Sequence, residues 1–201
     1  MPKIAASRRL TRTAKGDDMN DELHRRDLLA WAGLAAVGGP AWAEDKPKRP
    51  PLERVPLDAP LGKTLDGDVV RLSDFAGMPV VVFFWASWCP HCRNELPELE
   101  RLQLAARKER VRVVGVNGEE RDVFRKLHRG LADKMQMLHI YDPDQAGSKA
   151  FAAPGSVPYT VVVRADGTVA YTVSGWGEGQ LDTIIRHLNA ALTAAKAASA
   201  T

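Results

Sequence analysis

Val80 to Trp85 is six apolar residues in a row, Val-Val-Val-Phe-Phe-Trp, each β-branched or aromatic. A run that short, with no polar residue to face water, predicts a strand buried on both faces in the middle of a sheet. Three residues separate it from Cys89, and Cys92 follows three positions later. These are the only cysteines in 201 residues. A disulfide-stapled scaffold needs more of them, spread along the chain. The fold therefore has to rest on an apolar core, and the pair is free for chemistry.

The flanking sequence alternates strand and helix signals. Val69 to Leu72 predicts a strand after a turn at Gly67, and Ser73-Asp74-Phe75 opens a short turn. From Arg93 to Lys108, Leu96, Leu99, Leu102, Leu104 and Ala105 recur at helical spacing, with Pro97 able to kink the helix. Val111–Val116 reads as a second buried strand, Glu119–Leu131 as a helix, and Leu138–Tyr141 as a short strand. Tyr159–Arg164 and Val169–Ser174 flank Ala165-Asp166-Gly167, a hairpin signal. Gln180–Ala191 closes the pattern as a helix. The expected fold is α/β, with helices on both faces of a mixed central sheet that is largely parallel and carries an antiparallel hairpin edge.

The ends read differently. His24-Arg25-Arg26-Asp27-Leu28-Leu29, an apolar stretch from Leu28, and Ala41-Trp42-Ala43 have the order of an export signal cleaved after Ala43. The paired arginines resemble the twin-arginine type. The apolar stretch is shorter than the roughly 20 residues a spanning helix needs. The expectation is a periplasmic protein, membrane-tethered if the leader stays uncleaved. Residues 44–62, with Pro47, Pro50, Pro51, Pro56 and Pro60, read as a linker, 63–192 as the domain, and 193–201 as a flexible tail. Seven of the 28 Lys/Arg and five of the 25 Asp/Glu lie in 1–43, so the remainder is balanced to within one charge. That gives no reason to expect a nucleic-acid partner.

The position of the cysteine pair, just past a strand and at the mouth of a helix, predicts redox chemistry. Unpaired N–H groups and the helix dipole stabilise a thiolate there, and the thiolate is the nucleophile of disulfide exchange. Cys89 is the expected nucleophile. Cys92, one turn later, is the resolving thiol. Pro90 costs no hydrogen bond at the first helical position. A permanent disulfide would gain little from so short a loop. A zinc site lacks a second ligand pair, and Arg93 stands where covalent haem attachment needs His. No metal or other cofactor is expected beyond the redox pair itself. Trp88 is a candidate hydrophobic contact for substrate. His128, His139 and His187 are scattered and read as surface or packed residues.

Phe84-Trp85-Ala86-Ser87-Trp88-Cys89-Pro90-His91-Cys92-Arg93-Asn94-Glu95-Leu96-Pro97 resembles the TlpA/ResA/CcmG group of thioredoxin-like proteins, and the resemblance extends over roughly residues 55–190. It implies a thioredoxin-like fold and thiol–disulfide exchange with client proteins. It implies a membrane thiol electron donor of the DsbD/CcdA type. It also implies that Val157-Pro158 is a cis bond facing the cysteines, with backbone that a substrate can pair with. Glu95 then becomes the acid–base group beside the thiols. Two positions depart from the pattern. Thioredoxins proper bury an Asp six residues before the nucleophile, where this chain has Phe83. His91 resembles the Pro-His of the oxidant DsbA, and a cation there would favour the Cys89 thiolate and a more oxidising couple. The expected function is reduction of disulfides in exported proteins during cytochrome or copper-site maturation. A DsbA-like oxidant and a copper metallochaperone using the two thiolates are the alternatives.

Overall fold

The computed structural model describes residues 51–106 and 108–199. The export signal and the first part of the expected linker lie outside them. The element order is β1 (Pro60–Lys63), β2 (Val69–Arg71), a 3-10 turn (Leu72–Phe75), β3 (Val80–Trp85), α1 (Pro90–Ala105), β4 (Arg112–Asn117), α2 (Arg121–Leu131), β5 (Leu138–Tyr141), α3 (Ala146–Ala150), β6 (Tyr159–Val163), β7 (Val169–Ser174) and α4 (Gln180–Ser199).

The strands form one sheet in the order β2-β1-β5-β4-β3-β6-β7. β3 pairs with β4, and β4 with β5, in parallel. The β1–β2, β1–β5, β3–β6 and β6–β7 pairings are antiparallel. The sheet is thus mixed, as expected, though its antiparallel pairings outnumber the two parallel ones. Parallel pairing needs a crossover of helix length, and α1 and α2 supply the two that exist. The connection from β5 to β6 carries only the five-residue α3 and returns the chain in the opposite sense.

β3 is buried along its whole length, as its composition demands. Its alternating side chains feed two cores. Val81, Phe83 and Trp85 pack with Leu96, Leu99 and Leu102 of α1 and Ile184 and Leu188 of α4. Val80, Val82 and Phe84 pack on the other face with Leu61, Val70, Leu72 and Phe151. Within α1 the stripe differs from expectation. Leu104 is 43% exposed, and Gln103 turns inward. The Gln103 Oε1 accepts from the Val113 N–H at 2.7 Å. Glu100, also buried, accepts from the Gln136 and Met137 N–H groups at 2.7 and 3.0 Å. Polar groups pointed at strand-end amides can occupy an apolar stripe because they satisfy buried donors.

Three boundaries move. Residues 55–62, expected as the end of the linker, belong to the domain: Val55, Ala59 and Leu61 are buried, and the Val55 N–H donates to Gly167 O at 2.8 Å. Pro60 is tolerated because it opens β1. The alanine-rich segment from 193, expected as a flexible tail, continues α4 to Ser199, in line with alanine's helix propensity. α2 begins at Arg121 rather than Glu119, with Glu120 as its N-cap.

Candidate active site

β3 ends at Trp85, and a turn through Ala86, Ser87 and Trp88 brings Cys89 to the N-cap of α1. The Cys89 N–H donates back to Ala86 O at 3.2 Å. The extended backbone of Cys89 (φ −86°, ψ 111°) and Pro90 at the first helical position start the helix. Cys89 and Cys92 are joined as a disulfide with Cα atoms 5.3 Å apart. The Cys92 N–H points at Cys89 Sγ, 3.1 Å away. An unpaired helix-end amide is therefore already aimed at the sulfur that would carry charge after reduction. Both cysteines are buried, whereas the neighbouring Trp88 is 69% exposed. His91 is exposed.

The β6 side completes the site. The Val157–Pro158 bond is cis. The Val157 carbonyl oxygen lies 3.6 Å from Cys89 Sγ. Pro158 is anchored by its own carbonyl, which accepts from the Gly175 N–H at 2.8 Å. Trp176, in the loop after β7, packs partly buried against the α1–α4 core rather than standing free.

Glu95 lies one turn beyond Cys92 on the buried face of α1 and is fully buried. Its Oε1 accepts a 2.5 Å hydrogen bond from the Thr160 hydroxyl, and its Oε2 has no partner among the described residues. Burial raises its pKa from 4.5 to about 7, although the Thr160 bond pulls the other way. Thr160 pairs in register with Phe83, the position where thioredoxins proper carry their Asp. A carboxyl delivered from α1 thus sits on the same sheet face, beside the strand residue that lacks one.

Sequence reasoning missed three polar residues here: Thr160, Ser87 and Glu119. The Glu119 carboxylate accepts from the Ser87 N–H at 2.6 Å and from the Ser87 hydroxyl at 2.8 Å. No local pattern signals contacts across 32 or 65 residues. The hint for Thr160 is a small polar side chain among the aromatic and aliphatic residues of a fully buried strand. A cleft of about 220 Å³ is lined by Trp88, next to Cys89 in the chain, and by Glu119, Lys149, Ser156 and Val157 among others. His139 is buried against Trp85, and His187 stacks on Tyr171, so both are packed residues.

The sequence and fold are similar to those of known proteins. Residues 56–172 match the AhpC/TSA family. The thioredoxin-like protein YneN of Bacillus subtilis is 33% identical over 107 residues, 53% of this chain and 62% of that protein. The thiol:disulfide interchange protein DsbE of Allochromatium vinosum is 34% identical over 97 residues, 47% of this chain and 50% of that protein. The chain thus spans between half and two thirds of the length of these relatives. Among solved structures, the exposed lipoprotein thioredoxin Etrx1 of Streptococcus pneumoniae superposes with a TM-score of 0.54 at 28% identity, covering 65% of this chain and 96% of that one. The thioredoxin-like fold implied by the Phe84–Pro97 segment is the fold observed, and the chain belongs to the AhpC/TSA family.

Proposed function

We propose that this protein is a thiol–disulfide oxidoreductase that reduces disulfides in exported proteins, in the manner of cytochrome or copper-site maturation. The observation that carries the reading is the Cys89–Cys92 disulfide closed over the first turn of α1, with a buried carboxyl titrating near neutrality one turn further on. The same chemistry is named in relatives such as DsbE.

In the reducing direction, the Cys89 thiolate attacks one sulfur of a client disulfide. A mixed disulfide forms, and the other client sulfur leaves as a thiolate. Cys92 then gives up its proton, attacks Cys89 Sγ and releases the first client sulfur. Two electrons pass from the dithiol to the client, and the protein is left as the disulfide. Glu95, with a pKa of about 7, accepts the Cys92 proton and returns it to a departing sulfur. Trp88 and the backbone of Val157, held by cis-Pro158, receive the client segment. The redox group is the cysteine pair itself, and a membrane thiol donor of the DsbD/CcdA type regenerates it. The work is done outside the cytoplasm, as the segment 1–43 implies. Among the described residues no helix is long and apolar enough to cross a membrane. His91, although it resembles the oxidant motif, is exposed, where water screens its charge.

Equilibration with a thiol buffer of known potential tests the direction. A value near −270 mV, as for thioredoxin, is expected, and one near −120 mV would make the protein an oxidant.

A further inference from the structure

We propose that Glu119 is a positioning residue for the exchange reaction: through Ser87 it holds the turn that presents Cys89 to the client. The proposal rests on the thiol–disulfide reading above.

Glu119 lies in the connection between β4 and α2, and its sequence position suggests nothing more than a helix-opening acid. Its bonds say otherwise. Oε2 accepts from the Ser87 N–H at 2.6 Å and from Asn117 Nδ2 at 3.1 Å, and Oε1 accepts from Ser87 Oγ at 2.8 Å. Asn117, fully buried at the end of β4, in turn accepts the Glu119 N–H at 3.0 Å. The adjacent Gly118 N–H donates to Trp85 O at 3.1 Å. The β4–α2 connection is thus fastened to the segment after β3 both by backbone and by a carboxylate. Glu119 is not spent on α2, whose N-cap is Glu120.

Ala86 and Cys89 are buried, but Trp88 between them is 69% exposed, so packing contributes little to holding that residue. Two hydrogen bonds, one to each oxygen of Glu119, converge on one residue, and such a two-point contact fixes orientation as well as position. That residue lies two positions before the nucleophile. Trp88, Glu119 and Val157 also line one cleft, so the clamp stands where the client approaches. A misplaced nucleophile costs rate even when the fold is intact, on the order of 10²-fold for about 1 Å.

Insulin reduction with thermal melts tests this. Glu119→Ala removes all three acceptor contacts. It is expected to lower kcat about tenfold with KM little changed. Glu119→Gln keeps the geometry, because its amide oxygen accepts from Ser87 N–H and Asn117 while its NH₂ donates to Ser87 Oγ. It is expected to stay within about twofold of the unmodified chain. Ser87→Ala loses only the hydroxyl contact and is expected to fall about threefold. An unchanged kcat in Glu119→Ala overturns the proposal. So does a Glu119→Gln variant as slow as Glu119→Ala, since charge and not position would then matter. Should Glu119→Ala not fold, Ser87→Ala decides, and a kcat equal to that of the unmodified chain overturns the proposal. Failure of the unmodified chain to reduce insulin would sink the functional reading itself.

Discussion

Glu95 shows how far the setting of a single residue can lie from its sequence neighbours. The family resemblance picks it out three residues after Cys92, and the structure buries it on α1. Its partner Thr160 lies 65 residues away on β6, and only folding reveals it. Two forces act on the carboxyl: burial raises its pKa, and the hydroxyl lowers it. Burial wins, giving about 7. Glu95→Gln should therefore abolish an inflection near pH 7 in the rate of disulfide exchange and slow the neutral-pH rate by on the order of 10²-fold. A stopped-flow pH profile measures both. Thr160→Val removes the lowering contact alone, so the same inflection should move above pH 7; a downward shift would show that the hydroxyl does not act on this carboxyl.

At the scale of elements, what the sequence made legible followed from local pattern. β3, β4, the β6–β7 hairpin and α1 are each announced by composition or periodicity within one window. β1 and α3 were not, because short elements in Pro-rich or Gly-containing stretches carry no periodic signal. Their stability comes from each other. Gly147 of α3 packs so closely on the Leu61 backbone of β1 that a Cβ would overlap the Leu61 carbonyl oxygen. Asp142 holds α3 from the other side, accepting from the N–H groups of Gly147 and Ser148 at 3.2 and 2.8 Å. Gly147→Ala should cost about 3 kcal/mol in urea unfolding, since the obstructing atom is backbone and cannot rotate away. A loss below about 0.5 kcal/mol would mean that α3 slides freely on β1. The same logic explains the parallel pairing read too broadly from alternation: order along the chain specifies which elements exist, while crossover length specifies their direction.

Across the whole molecule, two buried titrating groups set opposing pH dependences. Glu95 binds a proton in the folded state up to about pH 7 and in the unfolded state only to about 4.5. Its contribution to stability is present below 4.5 and is lost as pH rises to about 7. Burial and the nearby charge of His128 depress His139 from 6.5 to about 4, so the unfolded state takes its proton first and stability is lost as pH falls from about 6.5 to 4. Each is worth on the order of 3 kcal/mol. The unmodified chain should therefore show little net slope from these two groups between about pH 4.5 and 6.5. Glu95→Gln should expose a stability that falls with acid, measured by urea unfolding at pH 4.5, 5.5 and 7. A flat profile in that variant would contradict the opposing pair. The proposed chemistry turns on attack by Cys89 and resolution by Cys92. The most direct test incubates reduced Cys92→Ser protein with insulin and reads the products by mass spectrometry. The account predicts a dithiothreitol-sensitive adduct through Cys89, and none with Cys89→Ser. Adduct formation by Cys89→Ser in place of Cys92→Ser would contradict it.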